Sequence, residues 1–111
     1  MSKRIKRNLP ILKTLLALKP SERRILLCQG SDDLILAVCE IALNVLKGNI
    51  PLTSGQYSKL NKHKKFIKLF AKRKTGVKNK RKVLTQTGSG FLLPLLGAAL
   101  PFLTSLFTGR R

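Results

Sequence analysis

The chain has 111 residues, 23 Lys and Arg against four Asp and Glu, and a formal net charge of +19. That is room for one domain with tails, and one His, two Cys and four carboxylates are few of the residue types that build acid–base and metal sites. The composition therefore argues against an enzyme, and no catalytic, metal or cofactor site is expected; at 43% apolar the chain is not a purely disordered basic tail either.

A charge of this size calls for a polyanionic partner, either nucleic acid or an anionic membrane surface. Cys28 and Cys39 stand eleven positions apart with no Cys or His partner at zinc-site spacing. Both read as buried small apolar residues, in keeping with a reducing compartment. The basic N-terminus is followed by a Leu-rich stretch that breaks at Pro20 and has no small-residue cleavage site, which argues against a secretory signal.

The predicted elements begin after a basic arm, residues 1–8. Its cluster Lys3, Arg4, Lys6 and Arg7 has the spacing of a nuclear import signal. Residues 9–19 predict a short amphipathic helix with Leu12, Leu15 and Leu16 on one face. Pro20 ends it and suits the first turn of a second helix, which runs to about Gln29. Gly30 is expected as a left-handed stop. Ser31 is a good N-cap for a third helix, with Asp32 and Asp33 where the helix dipole favours negative charge. That helix reaches Lys47 and is closed by Gly48. Leu34, Val38, Ile41 and Val45 mark its stripe, widened by Ile35, Ala42 and Leu46. An almost wholly apolar helix belongs at the centre of the core.

Pro51 biases Ile50 towards extended backbone. Thr53 and Gln56 then form a capping box, with Leu52 and Tyr57 at the two staple positions. The fourth helix carries Tyr57, Leu60, Ile67 and Phe70 as its apolar stripe and has a weak point near residues 61–63. Gly76 ends it, and residues 77–84 allow a further short basic helix. The fold class is thus all-α: a bundle of about four helices over residues 9–73, a basic linker over 74–87, and a flexible apolar tail over 88–111. The core is modest, so support from a partner or a second copy of the chain fits this size.

Between residues 57 and 82 there are twelve Lys and Arg and no acid. Self-repulsion on that scale is relieved by a polyanion. Lys64, Lys65, Lys68, Lys72, Arg73, Lys74, Lys78, Lys80, Arg81 and Lys82 are the candidate nucleic-acid contacts. The segment shows no aromatic interleaving and no recognition fingerprint, so binding should go through phosphates, without sequence preference and with steep salt dependence. His63 stands alone among lysines and reads as a surface helix residue with no catalytic partner.

Residues 91–107 carry no charge, and the uncharged span from 88 to 109 is 22 residues. A helix of that length could cross a bilayer of about 30 Å, with the basic N-terminal side cytoplasmic. Pro94, Pro101 and the glycines at 88, 90 and 97 weigh against a spanning helix. They leave docking on a protein or a membrane through Phe91, Leu92, Leu95, Leu96, Leu100, Phe102, Leu103, Leu106 and Phe107, or a place in the bundle core.

The string Cys39-Glu40-Ile41-Ala42-Leu43-Asn44-Val45-Leu46-Lys47-Gly48-Asn49-Ile50-Pro51-Leu52-Thr53 resembles a family of small basic proteins encoded by Maverick/Polinton-type DNA transposons and the related adintoviruses. The basic run at 78–82 and the Gly/Phe/Leu/Pro entry to the tail at 88–96 are similar to that family too. The likeness covers residues 9–107. The basic-then-apolar order is also similar to the small precursor core protein of adenoviruses. These resemblances imply a virion core protein found in the virion and host nucleus. Its basic region would neutralise packaged double-stranded DNA, and its tail would dock on capsid protein or act on a membrane. Gln86-Thr87-Gly88-Ser89-Gly90 places glycines as an adenovirus-like maturation protease would need them, but Gln86 stands where such a site has an apolar residue.

Overall fold

The computed structural model describes residues 2–87 and 89–108; Gly88, in the protease-like string, lies outside them. The described residues are all-helical, without a strand. Seven α-helices follow in order: α1 Lys3–Ala17, α2 Pro20–Gln29, α3 Asp32–Leu46, α4 Ser54–Asn61, α5 Lys64–Ala71, α6 Val77–Lys82 and α7 Ser89–Thr108, with a π-helical turn, Val83–Thr87, before α7. Seven helices replace the expected four or so, because the fourth divides at residues 62–63 and residues 77–82 and 89–108 add α6 and α7.

Local capping accounts for several boundaries. Ser31 Oγ accepts from the Leu34 amide at 3.1 Å and starts α3. Thr53 and Gln56 exchange bonds of 2.9 and 3.1 Å, the reciprocal capping box anticipated for α4. At α2, Pro20 is the first helical residue, and the Glu22 carboxylate accepts from the Lys19 amide at 3.0 Å. Gly48 takes a positive φ of 77° and closes α3. Gly30 does not: its φ is −67°. What requires glycine at position 30 is space, since a Cβ there would lie 2.8 Å from both the Leu26 carbonyl oxygen and Leu34 Cδ2.

The α3 helix is central, as its sequence implies. Leu34, Ile35, Ala37, Val38, Cys39, Ile41 and Ala42 are buried, and α1, α5, α6 and α7 all pack against it. Of the expected arm, residues 2–8 are not separate, and Met1 lies outside the described residues. Ser2 caps α1, and Ile5, Leu9 and Leu12, at helical spacing, enter the core with Leu15. Pro10 lies inside this helix on its exposed side. Two smaller expectations also change. Cys39 is buried, but Cys28 is exposed, because α2 turns only Arg23 and Leu27 inward. Tyr57 is 58% exposed instead of packed.

The largest departure is the C-terminal segment. Over Ser89–Thr108 it is a single 20-residue helix built into the core, not a flexible tail; residues 109–111 of the expected tail lie outside the described residues. Phe91, Leu92, Leu95, Leu96, Ala99 and Leu103 are buried, and their spacing puts them on one helical face. Gly90, Pro94, Gly97 and Pro101 fall on the opposite face. The backbone bonds that the two prolines cannot make therefore lie on the side away from the core. The Phe91 ring meets Phe70 of α5 with centroids 5.6 Å apart. Buried residues thus come from all four predicted segments: Ile5, the α3 set, Leu84 and the α7 set.

Candidate nucleic-acid interface

The four carboxylates are all engaged. Asp33 receives the Arg4 and Arg7 guanidinium groups, each at 3.1 Å, and the Asn8 amide at 2.8 Å. Those partners, Arg7 first, then Asn8 and Arg4, hold its pKa down to about 2. Asp32 pairs with Arg81 at 2.7 Å. Glu22 caps α2, and Glu40 accepts from Ser2 Oγ at 2.6 Å. Among the described residues these are the only Lys/Arg–carboxylate pairs, and no cluster of three metal-ligating side chains occurs.

Three basic side chains turn inward to the carbonyl ends of helices, where the dipole favours positive charge. Arg23, buried, donates to the Leu15 and Leu18 carbonyls at 3.0 and 2.7 Å. Arg81 donates to the Leu27 and Gly30 carbonyls, both at 2.7 Å, and then reaches Asp32. Lys80 is 3% exposed. Its ammonium donates to the Phe70 carbonyl and, at 2.7 Å, to that of Lys72, and lies 5.4 Å from the Phe70 ring centre. Of the ten candidate contacts, Lys80 and Arg81 are therefore part of the fold's own capping. Nothing in their local sequence marks this, because the carbonyls they cap belong to distant helices.

The remaining eight, Lys64, Lys65, Lys68, Lys72, Arg73, Lys74, Lys78 and Lys82, are exposed. Lys59 and Lys62, not among the ten, are exposed as well. Ten of the twelve cations between residues 57 and 82 thus face solvent, and none of these ten has a carboxylate partner among the described residues. The structure brings Lys65, Lys68 and Lys72 together on the outer face of α5, where they line a shallow groove of about 370 Å3 with Phe66 and Leu69. Phe66 is 40% exposed, so this basic face does hold an aromatic. The sequence hides it because Phe66 sits next to Ile67, the residue that actually enters the core. Lys64 faces a different small cavity beside Tyr57 and Leu46.

Compared with family models, with curated proteins and with solved structures, the chain finds no match. The site must be read from its own chemistry. Of the import string, Arg4 and Arg7 are held on Asp33, while Lys3 and Lys6 are exposed and without a carboxylate partner among the described residues. Of the nine docking candidates, Phe91, Leu92, Leu95, Leu96, Leu100 and Leu103 are buried; Phe102 and Phe107 are half-buried and Leu106 is exposed. A docking surface on this helix is reduced to that last group. By length and composition α7 could still cross a membrane, over Gly90–Phe107.

Proposed function

We propose that this chain is a non-enzymatic structural protein that binds and condenses double-stranded DNA through its phosphates without reading sequence, as a core component of a virus-like element. The observation that carries the proposal is the set of ten exposed cations at residues 59–82 with no ion-paired carboxylate, beside four carboxylates all engaged elsewhere. Such a surface attracts small anions, and exchanging them for DNA phosphates releases counterions and relieves self-repulsion. On α5 Lys65 and Lys68 are separated by a rise of about 4.5 Å along the helix axis with Lys72 at its C-cap, and their flexible stems let each ammonium find a phosphate. The virion and nuclear setting rests on the likeness of residues 39–53, with Phe102, Leu106 and Phe107 left to meet capsid protein. In the test, two unrelated duplexes of equal length compete for the full chain. Equal displacement, with aggregation of long DNA near charge neutrality, is the expected result. A strong preference for one sequence counts against the proposal.

The uncharged length of α7 favours a second reading, a tail-anchored or membrane-active protein with its basic part on anionic headgroups. In that state α7 leaves the bundle and Phe70 loses its partner Phe91. Flotation of the full chain with anionic vesicles that persists at high salt would favour this reading over DNA condensation.

A further inference from the structure

His63 and two lysines outside the candidate set meet in a cleft of about 550 Å3 between α4, the turn that follows it and α7. One wall is polar: Gln56, Lys59, Lys62 and His63. Gln56 and Lys59 are three residues apart on one face of α4, Lys62 and His63 follow in the turn before α5, and Leu60 turns into the core. The other wall is the side of α7 that carries Pro94 and Gly97. A Cβ built on Gly97 meets nothing within 4 Å, so the cleft is open there because that position has no side chain.

Three basic groups with no carboxylate among the lining residues select an anion. The facing wall is apolar, formed by Leu93, Pro94, Gly97 and Ala98, so it offers an apolar surface beside the basic groups. The volume suits a small ligand rather than a duplex. A phosphomonoester carries about 1.5 to 2 negative charges at neutral pH, more than the single charge of a phosphodiester, and so gains most from two lysines converging with an imidazole. Gln56 adds both a donor and an acceptor. We propose that this cleft is a nucleotide site: the phosphomonoester lies on Lys59, Lys62 and His63, and the base lies against the Pro94 and Gly97 wall. The site deepens the nucleic-acid reading and rests on it for one of two sources of the group, the phosphorylated end of a strand. The other source is a free nucleoside monophosphate. From the rim, Lys64 and Lys65 continue the line of exposed cations along α5, a path for the rest of a strand.

His63 is the single histidine, so its ring proton resonances report on the cleft alone. The full chain is titrated with AMP, adenosine and inorganic phosphate at fixed pH and ionic strength. AMP is expected to shift the His63 signals saturably at about fivefold lower concentration than phosphate, since a base stacked on the wall adds to the charge term. Adenosine should leave them in place. Gly97→Phe starts from a Cβ position with nothing within 4 Å, puts a ring into the cleft, and should abolish the AMP preference while keeping the response to phosphate. If that variant loses its cooperative melt, Lys59→Gln takes its place and should weaken AMP binding about fivefold. Equal responses to AMP and phosphate, or no response to either, overturn the site. A second arm compares one oligonucleotide with a 5′-phosphate and with a 5′-hydroxyl. Tighter binding of the phosphorylated end, lost in Gly97→Phe, assigns the site to strand ends; AMP binding without that difference assigns it to the free nucleotide. A chain that binds AMP but no duplex keeps the cleft and loses the nucleic-acid reading. A chain that binds duplex but ignores AMP loses only the cleft.

Discussion

The first half of the molecule and the stretch from Lys59 to Lys82 are both rich in cations, yet all four carboxylates lie in the first and none in the second. In α1–α3 the positive charges that matter structurally are answered: Arg4 and Arg7 by Asp33, and Arg23 by carbonyls at the end of α1. In α4–α6 only Lys80 and Arg81 are answered, and ten cations stand in solvent. Positive charge on this chain is thus two populations. One is held on helix-end carbonyls or on Asp32 and Asp33; the other stands in solvent with no carboxylate partner among the described residues. Net charge alone cannot separate them, because both are the same residue types in the same segment.

The comparison can be broken most severely through the apolar helix that joins the two halves. Leu95→Ala should cost about 3 kcal/mol in chemical denaturation, as for a buried leucine in a packed core, whereas Leu106→Ala should stay within about 0.5 kcal/mol. Equal, small effects would mean that α7 is a detachable tail after all. Two neighbouring lysines sharpen the contrast directly. Lys80→Ala removes the ammonium from the buried Phe70 carbonyl and the part-buried Lys72 carbonyl and should cost about 2 kcal/mol, with DNA affinity at low salt nearly unchanged. Lys78→Glu should do the reverse, lowering DNA affinity while leaving the denaturation midpoint in place. Should the two variants behave alike, the division into capping and solvent-facing cations fails.

Smaller effects come from the ends of helices. Thr53→Ala removes one half of the capping box and should cost about 1 kcal/mol, readable as a lower midpoint. For Asp33 the direction with pH is fixed by its partners. Its folded pKa is depressed, so its contribution is fully present above the ordinary value of 3.8 and is lost as pH falls from there to about 2. Asp33→Asn should flatten the stability profile across that window and leave the neutral range otherwise parallel.

What can be read in the sequence is what short-range chemistry decides. Ser31, the Thr53 and Gln56 pair, and the apolar run of α3 each act within one or two turns, and each is legible. The C-terminal helix is hidden when its prolines and glycines are weighed as a composition. Taken as positions, 90, 94, 97 and 101 fall on one face and leave the opposite face continuous from Phe91 to Leu103. The same test applied to Ile5, Leu9 and Leu12 extends the first helix through Pro10. Lys80 and Arg81 lie beyond any local reading, since their partners at Phe70, Leu27 and Gly30 are set by tertiary packing. In the candidate site, eight of the ten cations named from the sequence are exposed, and Phe66 is masked by the core residue beside it.

The most direct test of the central claim is the salt dependence of duplex binding by the full chain and by Lys65→Gln/Lys68→Gln/Lys72→Gln. The account predicts a linear fall of log affinity with log salt in both. The slope of the variant should be shallower by about 2.7, at about 0.9 for each phosphate it no longer neutralises, with the melting transition unchanged. An unaltered slope, or an affinity insensitive to salt, would contradict it.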